Sequence, residues 1–171
     1  TQLGGMNGYL YQAEDWAARN AVFRDLITHS WPVTYQNGHS ALVYYIGHWL
    51  PAALAGKLAG CIFQTEKAIW FCSRMALWLW SSFGMTILVL MVFLYVNAEN
   101  HRKRITVLLT MILFSGMDII GNILVGNLDH TFSPEVLHLE WWAPNKYQFT
   151  SITTCLYWVF NQAIIPWIVT I

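Results

Sequence analysis

"MALWLWSSFGMTILVLMVFLYV", residues 75–96, decides the class of this chain. It carries no charge and exceeds the ~20 apolar residues that cross a bilayer as a helix. The composition around it agrees. Apolar residues make up 56% of the chain and charged residues 11%, against about 25% charged in a typical soluble chain. Mean hydropathy is +0.42. Many of the ten tryptophans stand near the ends of apolar runs, where membrane-interface aromatics collect. Net charge is zero with no basic block, which argues against nucleic acid as a partner. Cys61, Cys72 and Cys155 lack metal-ligand spacing and read as small buried hydrophobes.

Three more runs extend the pattern outward. Ile105–Gly126 is mostly apolar but contains Asp118; Ile152–Ile171 contains Asn161, Gln162 and Pro166; Ala41–Cys61 is interrupted by His48, Pro51 and Lys57. The expected fold is therefore all-α and integral to a membrane, with three to four transmembrane helices and one interfacial amphipathic helix. Residues 1–40 are expected as an extracytoplasmic segment carrying that interfacial helix. Residues 41–171 form the transmembrane region, with a loop at 127–151. "IFQTEKAIWFCSR" (62–74) and "NAENHRKR" (97–104) read as connectors, and no strand-like alternation is visible. "HRKR" is the strongest cytoplasmic marker, with Lys57, Lys67 and Arg74 as a competing basic cluster. Whether 41–61 spans fully or is only partly inserted stays open. The chain starts on Thr1 and stops inside an apolar run, so it reads as part of a longer multi-pass protein of the cell membrane.

The charge in this chain gathers ahead of its membrane runs, in "EDWAARNAVFRDLITHSWPVTYQ" (14–36). On a helix, Trp16, Val22, Phe23, Leu26, Ile27 and Trp31 fall within one half of the wheel at 100° per residue. Arg24, Asp25, Thr28 and His29 lie opposite, while Arg19 and Asn20 interrupt the apolar side. Such a helix suits a membrane surface. Asp15 stands at its start, where free N–H groups favour a carboxylate cap. Pro32 ends it.

"DWAARNAVFRDLITHSWPV" followed by "LVYYIGHWLPAALAGKLAG" resembles the start of a polytopic membrane glycosyltransferase of the GT-C superfamily. "HLEWWAPNKYQF" and "TTCLYWVFNQAIIPW" resemble a later loop and helix of such proteins. A membrane helix ahead of Asp15 and the family's many later helices are missing from the pattern. The resemblance implies a sugar taken from a polyprenyl-phosphate-linked donor and passed to an acceptor at the membrane face, in contact with membrane lipid. It implies Asp15 as general base, with Arg19, Arg24 and His29 near the leaving phosphate. Trp141 and Trp142 are offered as sugar-stacking residues. Glu14 and Asp15 are offered as oxygen ligands of the divalent metal that some members use.

Each of these residues also has a structural explanation. Asp15 can be a cap. Trp141 and Trp142 can belong to an interface belt. Asp118 is an intramembrane acid and a functional candidate on that ground. His130, Glu135, His138 and Glu140 match no ligand signature and read as a solvated loop. Asn161 and Gln162 are expected to hydrogen-bond a neighbouring helix, Gly56 and Gly60 to let helices approach closely, and His48 with Pro51 to mark a packed, kinked helix. The alternative function is a membrane transporter or a non-catalytic membrane subunit, with Asp118, Asn161 and Gln162 lining a pathway.

Overall fold

The computed structural model describes residues 6, 8, 12, 15–35, 38–113 and 151–171. Among these the chain is mostly helical, as the all-α expectation required. In order come α1 (Trp16–Thr28), β1 (Thr34–Tyr35), β2 (Ser40–Ala41), a 3-10 turn (Ile46–His48), α2 (Leu50–Ile62), α3 (Glu66–Tyr95), α4 (His101–Leu113), α5 (Ile152–Trp158) and α6 (Phe160–Thr170). The chain forms two compact units, one of residues 1–95 with 156–171, the other of residues 96–155.

In the first unit, α1 buries Trp16, Arg19, Phe23, Leu26 and Ile27, the spacing of one helical face. Its apolar side was expected on lipid. It lies on protein instead. The Trp16 ring stacks 5.5 Å from Phe160 of α6, and Phe23 lies 5.3 Å from Trp49 and 5.5 Å from Trp70 of α3. Aromatic pairs at these separations contribute about 0.5–1.5 kcal/mol each beyond their area. The N–H of His29 closes the helix on the Asp25 carbonyl, ahead of Pro32. A short antiparallel pair comes next, Thr34 opposite Ala41 and Tyr35 opposite Ser40. It is too short to show as alternation in the sequence.

Ala41–Cys61 does not form one helix. It contains the end of β2, a link that bends at Tyr44 and Tyr45, the 3-10 turn and the 13-residue α2. Pro51 lacks an N–H and fits the first turn of α2, not the interior of a longer helix. At 1.5 Å per residue, α2 is roughly 20 Å long, short of the ~30 Å hydrocarbon core. Cys61 is exposed rather than buried, on the outward side of α2. His48 packs at the mouth of this helix, its Nε2 2.9 Å from Ser81 Oγ of α3.

The connector expected at 62–74 shrinks to residues 63–65. α3 begins at Glu66 and runs 30 residues without a break. No proline or glycine stands between Glu66 and Arg74 to stop it, and a hydropathy window simply cannot see a helix through Glu66, Lys67 and Arg74. Asn97, with φ of 52°, lies just beyond its end, where a left-handed residue closes helices. Among the described residues α3 is the one helix long and apolar enough to cross a membrane. Its buried residues are Ser73, Leu77, Ser81, Gly84 and Leu88, a seam three and four residues apart.

Small residues set the approach along that seam. A Cβ on Gly56 would lie 2.2 Å from Ser73 Oγ and 3.1 Å from Ile27; one on Gly84 would lie 2.7 Å from Ile164 of α6. Gly60 is less tight, with Ile69 at 3.7 Å. Gly56→Ala is therefore expected to cost about 1–3 kcal/mol by overpacking. Ser73→Ala in the same chain should restore part of it. Thermal unfolding in detergent checks both, and an unshifted midpoint for Gly56→Ala would show that α2 and α3 have room to part.

α6 was expected as part of one run from Ile152. The run breaks at Val159 (φ −141°, ψ 33°), and Pro166 sits inside α6. Asn161 is 4% exposed, and its amide makes no hydrogen bond to a described residue, so the expected inter-helix bond is not seen. In the second unit, "HRKR" is not a connector but the first turn of α4, and Arg104 donates to the Ala98 carbonyl at 2.9 Å. Ser151 caps α5 by accepting from the Thr154 N–H at 3.1 Å. Asp118, the rest of Ile105–Gly126 and the loop 127–151 lie outside the described residues.

Candidate functional site

Asp15 owes its position to the first turn of α1. Trp16 and Arg19 are both buried on the bundle, so the start of α1 is held firmly. The Asp15 backbone is already helical (φ −58°, ψ −21°) and its side chain caps nothing. A capping residue sits in the extended region and turns its oxygen onto the N–H groups of the first turn. Here the carboxylate is turned to Arg19, Oδ2 lying 3.4 Å from Nη2, and the pair is 61% and 4% exposed respectively. The acid faces outward and the guanidinium stands behind it in the protein.

The remaining predicted cations do not gather there. Arg24 is nine residues beyond Asp15, which is half a revolution around the helix and about 13 Å along it. Its guanidinium rests 5.6 Å from the Trp70 ring centre. His29 is exposed at the far end of α1, its Nδ1 3.0 Å from Thr28 Oγ1 and 3.3 Å from the Asp25 carbonyl. Thus Asp15 and Arg19 form one site, while Arg24 belongs to another. Glu14, Trp141 and Trp142, and with them His130, Glu135, His138 and Glu140, lie outside the described residues.

Asn20 and Arg74 join the two helices and were not singled out in the sequence as functional. Arg74 donates to Asn20 Oδ1 at 3.3 Å, Asn20 donates to Gln12 Oε1 at 3.1 Å, and the Arg74 guanidinium lies 4.7 Å from Trp70. Trp70 is thus flanked by two arginines, one from α1 and one a turn along α3. A signal was present: Lys67, Trp70 and Arg74 recur at three and four residues, one face of a helix.

On the Arg24 side, α1, α2 and α3 enclose a groove of about 560 Å³. Arg24, Thr28, Lys57, Glu66, Lys67 and Trp70 stand in its wall. Lys57 donates to the His29 carbonyl, and its Nζ lies 5.4 Å from the Trp31 ring centre. Nearby, the Tyr35 hydroxyl donates to the Asp25 carboxylate. That bond favours the neutral phenol and holds the Tyr35 pKa above its ordinary value. The contact is therefore lost as pH rises through that raised value.

Among the described residues no group of three or more acids, histidines or cysteines gathers to hold a metal ion. Asp15 is directed at Arg19, so no step is assigned to a metal here.

No family model, curated protein or solved structure matches this chain.

Proposed function

We propose that this chain is part of a multi-pass membrane glycosyltransferase that moves a sugar from a polyprenyl-phosphate-linked donor to an acceptor at the membrane face. α3 supplies one span in this reading. The observation that carries it is Asp15: a firmly held, outward-facing carboxylate at a helix start where it makes no cap. A carboxylate in that setting is available to take a proton.

The chemistry asks little else of it. An acceptor hydroxyl attacks the anomeric carbon and passes its proton to Asp15. The new C–O bond forms as the bond to the phosphate oxygen breaks, through an oxocarbenium-like transition state. The lipid phosphate leaves with the electron pair. Arg19 orients the carboxylate and adds positive charge behind it.

The test is transfer of a labelled sugar from polyprenyl-phosphate donors by the intact protein in liposomes. Transfer that depends on Asp15 supports the reading; its absence across donors removes it. The buried polar groups His48, Ser81 and Asn161 favour the rival, a transporter or non-catalytic membrane subunit. Solute flux insensitive to Asp15→Asn would select that rival.

A further inference from the structure

We propose that the groove between α1, α2 and α3 binds the headgroup of an anionic phospholipid, apart from Asp15. This rests on α3 spanning the membrane, and not on the transferase chemistry.

Charge is the first ground. Three cations, Arg24, Lys57 and Lys67, face the groove against one carboxylate, Glu66. Glu66 and Lys67 make no ion pair among the described residues. The groove is thus net positive and suits a phosphate, which accepts several charge-assisted bonds at once. Two of the cations are already positioned: Arg24 on Trp70, Lys57 on the His29 carbonyl and Trp31. Less side-chain freedom is then lost on binding.

The floor is the second ground. Ile27, Ile69 and Trp70 line it, with the exposed Gly60 baring the α2 backbone. A free phosphate has no use for such a floor, whereas the first carbons below a lipid headgroup do. The volume, about 560 Å³, falls in the usual ligand range of roughly 300–1,000 Å³.

Depth is the third. Trp70 and Lys67 lie roughly 8 and 12 Å along α3 ahead of the uncharged run 75–96, at ~1.5 Å per residue, so in a bilayer they stand outside the hydrocarbon. That is the level of headgroups, where basic residues and tryptophans meet anionic lipid. Asp15 lies on the other flank of α1, so headgroup and reaction do not compete for the same space.

Brominated lipids test this through tryptophan quenching of the intact protein in phosphatidylcholine nanodiscs. Brominated phosphatidylglycerol should quench at a roughly fivefold lower mole fraction for each cation engaged than brominated phosphatidylcholine. Lys57→Gln and Lys67→Gln should each reduce that preference by roughly fivefold, and Glu66→Gln should increase it. Trp70→Phe should remove the part of the quenching that is specific to phosphatidylglycerol. Unfolding midpoints near wild type would show that the variants are folded. Equal quenching by the two lipids, or a preference unchanged in the lysine variants, overturns the proposal. Relief of quenching by millimolar inorganic phosphate alone reassigns the groove to a free anion. Stoichiometric displacement by a short isoprenyl phosphate reassigns it to the sugar carrier. Neither result touches the Asp15 chemistry, which is read by transfer alone.

Discussion

Asp15→Asn is expected to lower sugar transfer by roughly 10²- to 10⁴-fold, the contribution of a positioned general base, and to leave folding intact. A helix-capping aspartate would complicate that experiment, because its loss costs about 0.5–2 kcal/mol. Asp15 makes no such cap, so the stability term is small from the outset. Asparagine keeps an oxygen toward Arg19 and loses the negative charge along with the ability to take a proton. The variant should insert, purify and unfold like the wild type. Turnover near wild type, at matched protein and with a verified donor, would strike Asp15 from the mechanism. A steep fall in unfolding midpoint would instead mark the Asp15–Arg19 pair as structural.

Trp49→Ala is expected to cost about 3–5 kcal/mol, the range for deleting a buried large aromatic. Trp49 is fully buried at the start of α2. Its ring lies 5.3 Å from Phe23, 5.3 Å from Phe160 and 6.5 Å from Trp16. It therefore joins α1, α2 and α6, and its loss loosens three helices at once. The change should show as a large drop in unfolding midpoint and as new protease cleavage between α1 and α2. Trp49→Phe keeps an aromatic partner and should cost much less. A loss below about 1 kcal/mol for Trp49→Ala would mean that the neighbours collapse into the space, against the usual penalty for a cavity.

The face of α1 was legible in the sequence, since Trp16, Phe23, Leu26 and Ile27 announce it by spacing alone. What covers that face was not. Trp49, Trp70 and Phe160 come from distant parts of the chain, and a wheel diagram holds no record of them. Lipid and a protein surface look alike to an apolar stripe. The start of α3 was lost for a different reason: three charges lower the hydropathy of residues 66–74 while leaving their helix propensity intact. At the site, Asp15 was visible as an acid before an apolar run. Its pairing with Arg19 agrees with i,i+4 spacing, as does the separation of Arg24. The partnership of Asn20 with Arg74 depends on how α1 and α3 cross, which no local pattern encodes.

The stacking of Trp16 on Phe160 sets a timetable. Phe160 leaves the ribosome about 140 residues after Trp16, on the order of ten seconds later at ~5–20 residues per second. During that interval α1 has an uncovered aromatic edge and a membrane beside it. The nascent helix would rest in the lipid surface first and move onto the bundle when α6 arrives. Chains stalled before residue 151 should therefore show Trp16 open to lipid-borne quenchers, and chains released after residue 171 should not. Equal protection at both lengths would mean that α2 and α3 alone are enough to hold the helix in place.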